Sequence, residues 1–193
     1  MSKALWKLIQ AHVGASADGV PGVETSRKIA AKFGIKEPAK PKQTKMVTGS
    51  GRNIKRIVIH CAATPEGKEF DVDDIKRWHM GPKPQGHGWS RIGYHFIITL
   101  DGTIQRGTAE TRKGIHVRGR NTGAIGVCYI GGVDASGRAK DTRTPEQIES
   151  MIELLRDLTD AYPKAKVLGH RDHVGVRKAC PSFDAIKWWE SVK

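Results

Sequence analysis

The sequence predicts an α/β fold, a mixed central β-sheet flanked by helices, preceded by a small helical domain. Three observations predict it. From residue 54 onward, short apolar runs alternate with stretches of helical period. Asp101-Gly102 is a strong hairpin turn between two of those runs, which brings an antiparallel pair into the sheet. Residues 36–52 hold Lys36, Pro38, Lys40, Pro41, Lys42, Lys45, Gly49 and Gly51 with little apolar content, the composition of a linker.

Taken in order, residues 3–34 read as two short helices. Leu5, Leu8, Ile9 and Val13 form one apolar stripe; Ile29, Ala30 and Phe33 form another, and Gly34 is placed to end it. The expected division is a helical module at 1–36, a basic linker at 37–52 and the main domain at 53–193. Ile57-Val58-Ile59-His60-Cys61 is a short buried strand. Asp71 caps a helix whose apolar face carries Val72, Ile75 and Trp78. Tyr94 to Leu100 is a second strand, Thr103 to Gln105 its hairpin partner, and Ile125 to Ile130 a central strand. Thr144-Pro145-Glu146-Gln147 is a capping box with proline at the first helical position. The helix it opens is expected to bury Ile148, Met151, Ile152, Leu155 and Leu158 before Tyr162-Pro163 ends it. Val167-Leu168 is a short strand, and Phe183 to Trp189 a last helix.

With 193 residues, the chain suffices for one well-cored domain and a small appendage. Its net charge of +13 favours polyanions: nucleic acid, anionic lipid or an anionic wall polymer. No aromatic-rich basic segment reads as a single-strand binding motif, so nucleic acid is not the expected partner. Three cysteines make no disulfide framework; Cys61 and Cys128 sit in apolar runs as small hydrophobes. Lys7 and His12 interrupt the amino-terminal apolar residues, so neither a signal peptide nor a membrane-spanning helix is expected. The protein is expected to be made in a cytoplasm and to be a monomer.

Chemistry gathers in one late loop. Gly169-His170-Arg171-Asp172-His173 through Lys178-Ala179-Cys180-Pro181 puts two imidazoles, a lysine and a thiol close together. Imidazole and thiolate suit a borderline-soft ion such as Zn²⁺. Side chains alternate along a strand, so His60 shares a face with Val58 while Ile57, Ile59 and Cys61 point into core. His60 also lies at the carboxyl end of its strand, where ligand sites of open α/β sheets gather, and is the best remote partner for the loop. The expected set is His60, His170 and Cys180 around one Zn²⁺, with His173 a competitor for the place of His170. Three protein ligands and an open position are the catalytic form of zinc. Lys178 and the Tyr94 hydroxyl are candidate stabilisers of an oxyanion. Tyr94 and His95 face opposite ways, so at most one joins the site. His12, His79 and His87 read as surface or packing residues.

Five segments carry a resemblance: Ile59-His60-Cys61-Ala62-Ala63-Thr64, Gly93-Tyr94-His95-Phe96, Gly126-Val127-Cys128, Gly169-His170-Arg171-Asp172 and Lys178-Ala179-Cys180-Pro181-Ser182-Phe183-Asp184. In this order they resemble the zinc-dependent N-acetylmuramoyl-L-alanine amidases of the phage lysozyme and peptidoglycan recognition protein type. The resemblance spans residues 54–191. It implies cleavage of the amide between N-acetylmuramic acid and L-alanine in peptidoglycan. It also implies His60, His170 and Cys180 as metal ligands, Tyr94 and Lys178 as catalytic residues, and His116 as a substrate-cleft histidine. The stretch from Asp172 to Arg177 is slightly longer than in the phage pattern; the Gly-His-Arg-Asp context favours His170 over His173. Binding-only relatives usually lack the metal cysteine, and Cys180 is present.

Asp18-Gly19-x-x-Gly22-x-x-Thr25 is similar to the peptidoglycan-binding module of cell-wall hydrolases, in a shorter form. Module, linker, catalytic domain and absence of a leader together look like a phage endolysin, made in the host cytoplasm and reaching the wall once the membrane is breached. Residues 1–50 hold nine basic and three acidic residues, which suits an anionic envelope surface. Two rival readings are a peptidoglycan-binding protein without activity and a nucleic-acid or polymerase-binding regulator.

Overall fold

The computed structural model describes residues 3–14, 28–29, 31–34 and 47–193. The chain divides into two compact units, residues 1–44 and 45–193. The first holds α1 (Lys3–His12), whose Leu5 and Leu8 are exposed. Leu8, Ile9, His12, Val13, Ile29 and Phe33 line a groove of about 600 Å³. Lys32 Nζ donates to His12 O at 2.8 Å, satisfying a carbonyl orphaned at the end of α1. Asp18, Gly19, Gly22 and Thr25 lie outside the described residues.

The second unit is built on a five-stranded sheet. Its strands are β1 (Arg56–Cys61), β3 (Phe96–Ile98), β4 (Ile104–Arg106), β5 (Ala124–Tyr129) and β7 (Lys166–Gly169), in the order β4-β3-β5-β1-β7. Only β3 and β4 pair antiparallel, through the Asp101-Gly102 turn. Two short strands, β2 (Thr64–Pro65) and β6 (Gly132–Val133), pair separately. The mixed sheet with flanking helices is the architecture the sequence predicts. The regular part of β3 is shorter than the expected 94–100, although His95 N–H still donates to Gly126 O at 2.9 Å.

Strand alternation sorts the core. Ile57, Ile59, Phe96, Ile98, Ile125 and Val127 face one layer, covered by α3 (Pro145–Ala161) and α4 (Ala185–Val192). Ile97 and Ile130 face the other, where Ile75 of α2 (Val72–Met80) packs against them. The capping boxes at Asp71 and Thr144 both form. The buried face of α3 is rotated from the expected one: Gln147, Ser150 and Leu154 are buried, while Ile148 and Ile152 are half-buried. The reason is at the sheet edge. Gln147 Nε2 donates to Ile98 O at 3.1 Å and Ile130 O at 2.8 Å, so an inward amide caps two strand ends.

Residues 47–52, assigned to the linker on composition, are packed on the second unit. Val47 is buried in the core. Thr48 donates to Glu110 Oε1 from its backbone N–H at 3.1 Å and its hydroxyl at 3.3 Å. The Arg52 guanidinium donates to Glu110 O and Arg112 O, each at 2.8 Å.

Candidate metal centre and active-site cleft

Parallel pairing of β1 with β7 sets Ile59 opposite Gly169, so the loop after β7 starts beside His60. That loop opens with a single 3₁₀ turn, His170–Asp172, which Asp172 closes by accepting the Gly169 N–H at 2.8 Å. A side chain at Gly169 would meet Pro181 Cδ at 2.6 Å, so glycine lets the Cys180-Pro181 segment lie against the end of β7. Arg171 N–H donates to Cys180 O at 2.8 Å and ties the two limbs of the loop. Cys61 N–H donates to Cys180 Sγ at 3.3 Å, fixing the thiol at the tip of β1. Ala63 and Ser182, each two residues past a cysteine of this pair, hold left-handed backbone conformations that non-glycine residues rarely adopt.

These contacts bring His60, His170 and Cys180 together, with one donor atom from each within 4.8 Å of the others. His60 Nδ1 is 3.7 Å from Cys180 Sγ. Zinc bonds of about 2.0–2.3 Å put tetrahedral ligand atoms about 3.5 Å apart, so this pair already has the spacing of two ligands of one ion. Burial holds the His60 imidazole well below its ordinary pKa, and burial with nearby Lys178 lowers that of His170, so both rings are neutral donors near pH 7. The Cys61 thiol and burial push the Cys180 thiol up; a cation beside it opposes both. The donor set therefore fits a Zn²⁺-type ion. His173 is not in the group. It is buried, and after burial itself the Arg56 and Arg120 charges lower its pKa.

A cleft of about 1000 Å³ is lined by His170 and Cys180 together with Tyr94, His116 and Lys178, and His60 is buried beside it. The Tyr94 ring lies 5.1 Å from the His60 ring, centroid to centroid. Burial raises its hydroxyl well above the ordinary tyrosine value, so it remains an O–H donor. His95 faces away from the cleft chemistry: its Nδ1 accepts the Gly126 N–H at 2.9 Å and its Nε2 donates to Arg112 O at 3.1 Å. Lys178 is exposed at the rim.

The family model for N-acetylmuramoyl-L-alanine amidase matches residues 50–183, the stretch that carries all of this geometry. The chain belongs to that amidase family. The Escherichia phage T7 endolysin is 41% identical over 134 residues, 69% of this chain and 84% of that protein. The Enterobacteria phage K11 endolysin is 40% identical over 137 residues, 71% of this chain and 86% of its own length. Among solved structures, the N-acetylmuramoyl-L-alanine amidase LysC from Clostridium intestinale URNW superposes with a TM-score of 0.58 at 30% identity, covering 79% of this chain and 96% of LysC. The amidase is a peptidoglycan hydrolase that cuts between N-acetylmuramic acid and L-alanine. No helix among its described residues is long and apolar enough to cross a membrane.

One wall of the amidase's cleft escaped the sequence reading. His79 and His87, expected to be ordinary packing or surface residues, line it together with Trp89. His87 stacks on Trp89 with centroids 4.6 Å apart and planes 16° apart; Trp89 lies 4.7 Å from the His79 ring, which in turn lies 5.2 Å from Tyr94. His79 Nδ1 accepts the Gly93 N–H at 3.0 Å, and burial lowers its pKa to about 4. The spacing His79, His87, Trp89 matches no strand or helix period, because the turn from Gly81 to Gly88 folds the segment back on the end of α2.

Proposed function

We propose that the amidase is a zinc-dependent endolysin whose ion is held by His60, His170 and Cys180. The convergence of these three donors at the carboxyl ends of β1 and β7 carries the reading. An ion of this kind, when bound, supplies Lewis acidity and lowers the pKa of a water from about 15.7 to about 7. The chain's own residues do the rest. The His60 and His170 imidazoles stay neutral and leave their lone pairs available, and Cys180 brings a thiolate. Tyr94 donates its O–H toward the scissile carbonyl oxygen as charge builds there. Lys178 adds its ammonium from the rim and steadies the same charge. The half-enclosed cleft orients the muramoyl and peptide portions on either side of the amide.

An enzyme of this kind made in a host cytoplasm acts on the wall after the membrane is breached, with residues 1–36 serving as a wall-binding module. The decisive experiment compares the purified protein with Cys180→Ser and with chelator-treated protein. The intact protein is expected to retain one zinc per chain and to clear bacterial walls, with release of L-alanine amino termini seen by mass analysis. Cys180→Ser and the stripped protein should lose that release, and zinc should restore only the latter. Full release by metal-free protein would sink the proposal.

A further inference from the structure

His60 carries a second contact that the metal reading leaves unused. Its Nε2 lies 3.0 Å from His116 Nδ1, with the two rings edge to face at a centroid distance of 5.0 Å. One of those nitrogens must carry the proton. If His116 donated, His60 would hold its own proton on Nδ1, the atom 3.7 Å from Cys180 Sγ, and would present an N–H where a lone pair is needed. The reverse arrangement, His60 Nε2–H to His116 Nδ1, leaves the Nδ1 lone pair facing the other two donors. Metal-bound histidines commonly donate their distal N–H in this way, which fixes both tautomer and ring orientation.

The His116 ring is held in place against His60. Asn121 Oδ1 receives the backbone N–H groups of His116 and Val117, each at 2.8 Å, and pins the loop. The ring lies flat on Gly126, where a Cβ would come 2.8 Å from His116 Cδ2. The His95 ring, itself bonded on both nitrogens, stands edge-on at 5.8 Å. A flipped ring would put Cδ2 in the place of Nδ1 and lose the 3.0 Å contact with His60. The remaining nitrogen, Nε2, is buried without a hydrogen-bond partner among the described residues.

We propose that His116 is a positioning residue that holds His60 as the Nε2–H tautomer and thereby sets the affinity of the metal centre; this rests on the zinc reading above. His116 therefore acts through His60, and its Nδ1 is not free to meet substrate.

The test is zinc affinity, measured by chelator competition on the full chain for wild type, His116→Leu, His116→Asn and Cys180→Ser. His116→Leu removes the acceptor and is expected to weaken zinc about 10–100-fold. In His116→Asn, Oδ1 can take the acceptor's place, and most of the affinity should return. A purely steric role for the ring predicts no such rescue. On metal-free wild type, the ¹⁵N shifts of the His60 ring should already report the Nε2–H form, so the answer does not depend on a variant folding. An Nδ1–H form in the metal-free protein, or wild-type affinity in His116→Leu while Cys180→Ser is weak, overturns the positioning role and leaves the zinc centre standing. Equal, negligible affinity in wild type and Cys180→Ser overturns both.

Discussion

Tyr94 and Lys178 reach the same cleft from opposite kinds of environment, and that difference makes their roles separable. Tyr94 is packed against the His60, His79 and His116 rings, whereas Lys178 stands exposed on the loop that also carries Cys180. If both stabilise charge on the carbonyl oxygen, Tyr94→Phe and Lys178→Ala should each lower kcat by about 10²–10³, the usual cost of one such donor. Zinc content should stay at one per chain in both. A fall in kcat matched by a loss of zinc would assign either residue to holding the centre instead. At this scale the sequence showed much of the site. Strand alternation placed His60, and its chemistry together with the Gly-His-Arg-Asp context set out the loop donors. The His60–His116 contact and the His79–His87–Trp89 wall were not legible. Both join segments far apart in sequence through ring packing, which leaves no periodic trace.

Elements set where these residues meet, and the least expected one is α3. Its ends were legible because capping is local chemistry: Thr144 Oγ1 accepts the Gln147 N–H at 3.1 Å, and Gln147 Oε1 accepts the Thr144 N–H at 3.1 Å. Its buried face was not, because periodicity counts apolar residues and Gln147 is polar. Gln147 is fully buried and its amide nitrogen bridges the ends of β3 and β5, next to the strand that carries His60. Gln147→Met keeps the volume and removes the bridge. Buried carbonyl groups left without a donor cost about 1–3 kcal/mol, and urea unfolding should show a loss of that size with an unchanged m-value. A loss below about 0.5 kcal/mol would mean that the helix is held by its apolar residues alone, within the range of an ordinary surface change.

The whole chain poses the question of where the amidase unit begins. Composition put the boundary at residue 52; contact places residues 45–52 with the second unit. The link is Glu110, whose buried carboxylate accepts Thr48 at Oε1 and the Tyr162 hydroxyl at Oε2 (2.8 Å), with Arg106 at 3.6 Å from Oε1. A chain of residues 45–193 keeps Val47 in the core and Thr48 on Glu110. A chain of residues 53–193 loses both, together with Arg52. Full burial of a valine alone is worth about 1.5–3 kcal/mol, so the shorter chain should melt measurably lower than the longer one. Equal melting temperatures would remove the structural role of this segment. Both truncations should still cut a small soluble muramoyl peptide, since every donor of the cleft lies beyond residue 59. On whole walls the 45–193 chain should act more slowly than the full protein, because most of the +6 charge of residues 1–50 lies in the part removed. That deficit should shrink as salt rises above about 0.15 M, where attraction between exposed charges is screened beyond about 8 Å. A deficit that persists in high salt would point to contacts of the groove lined by Leu8, Ile9 and Phe33 rather than to charge. Equal wall lysis by the two chains at every salt concentration would show that the amino-terminal unit has no part in targeting.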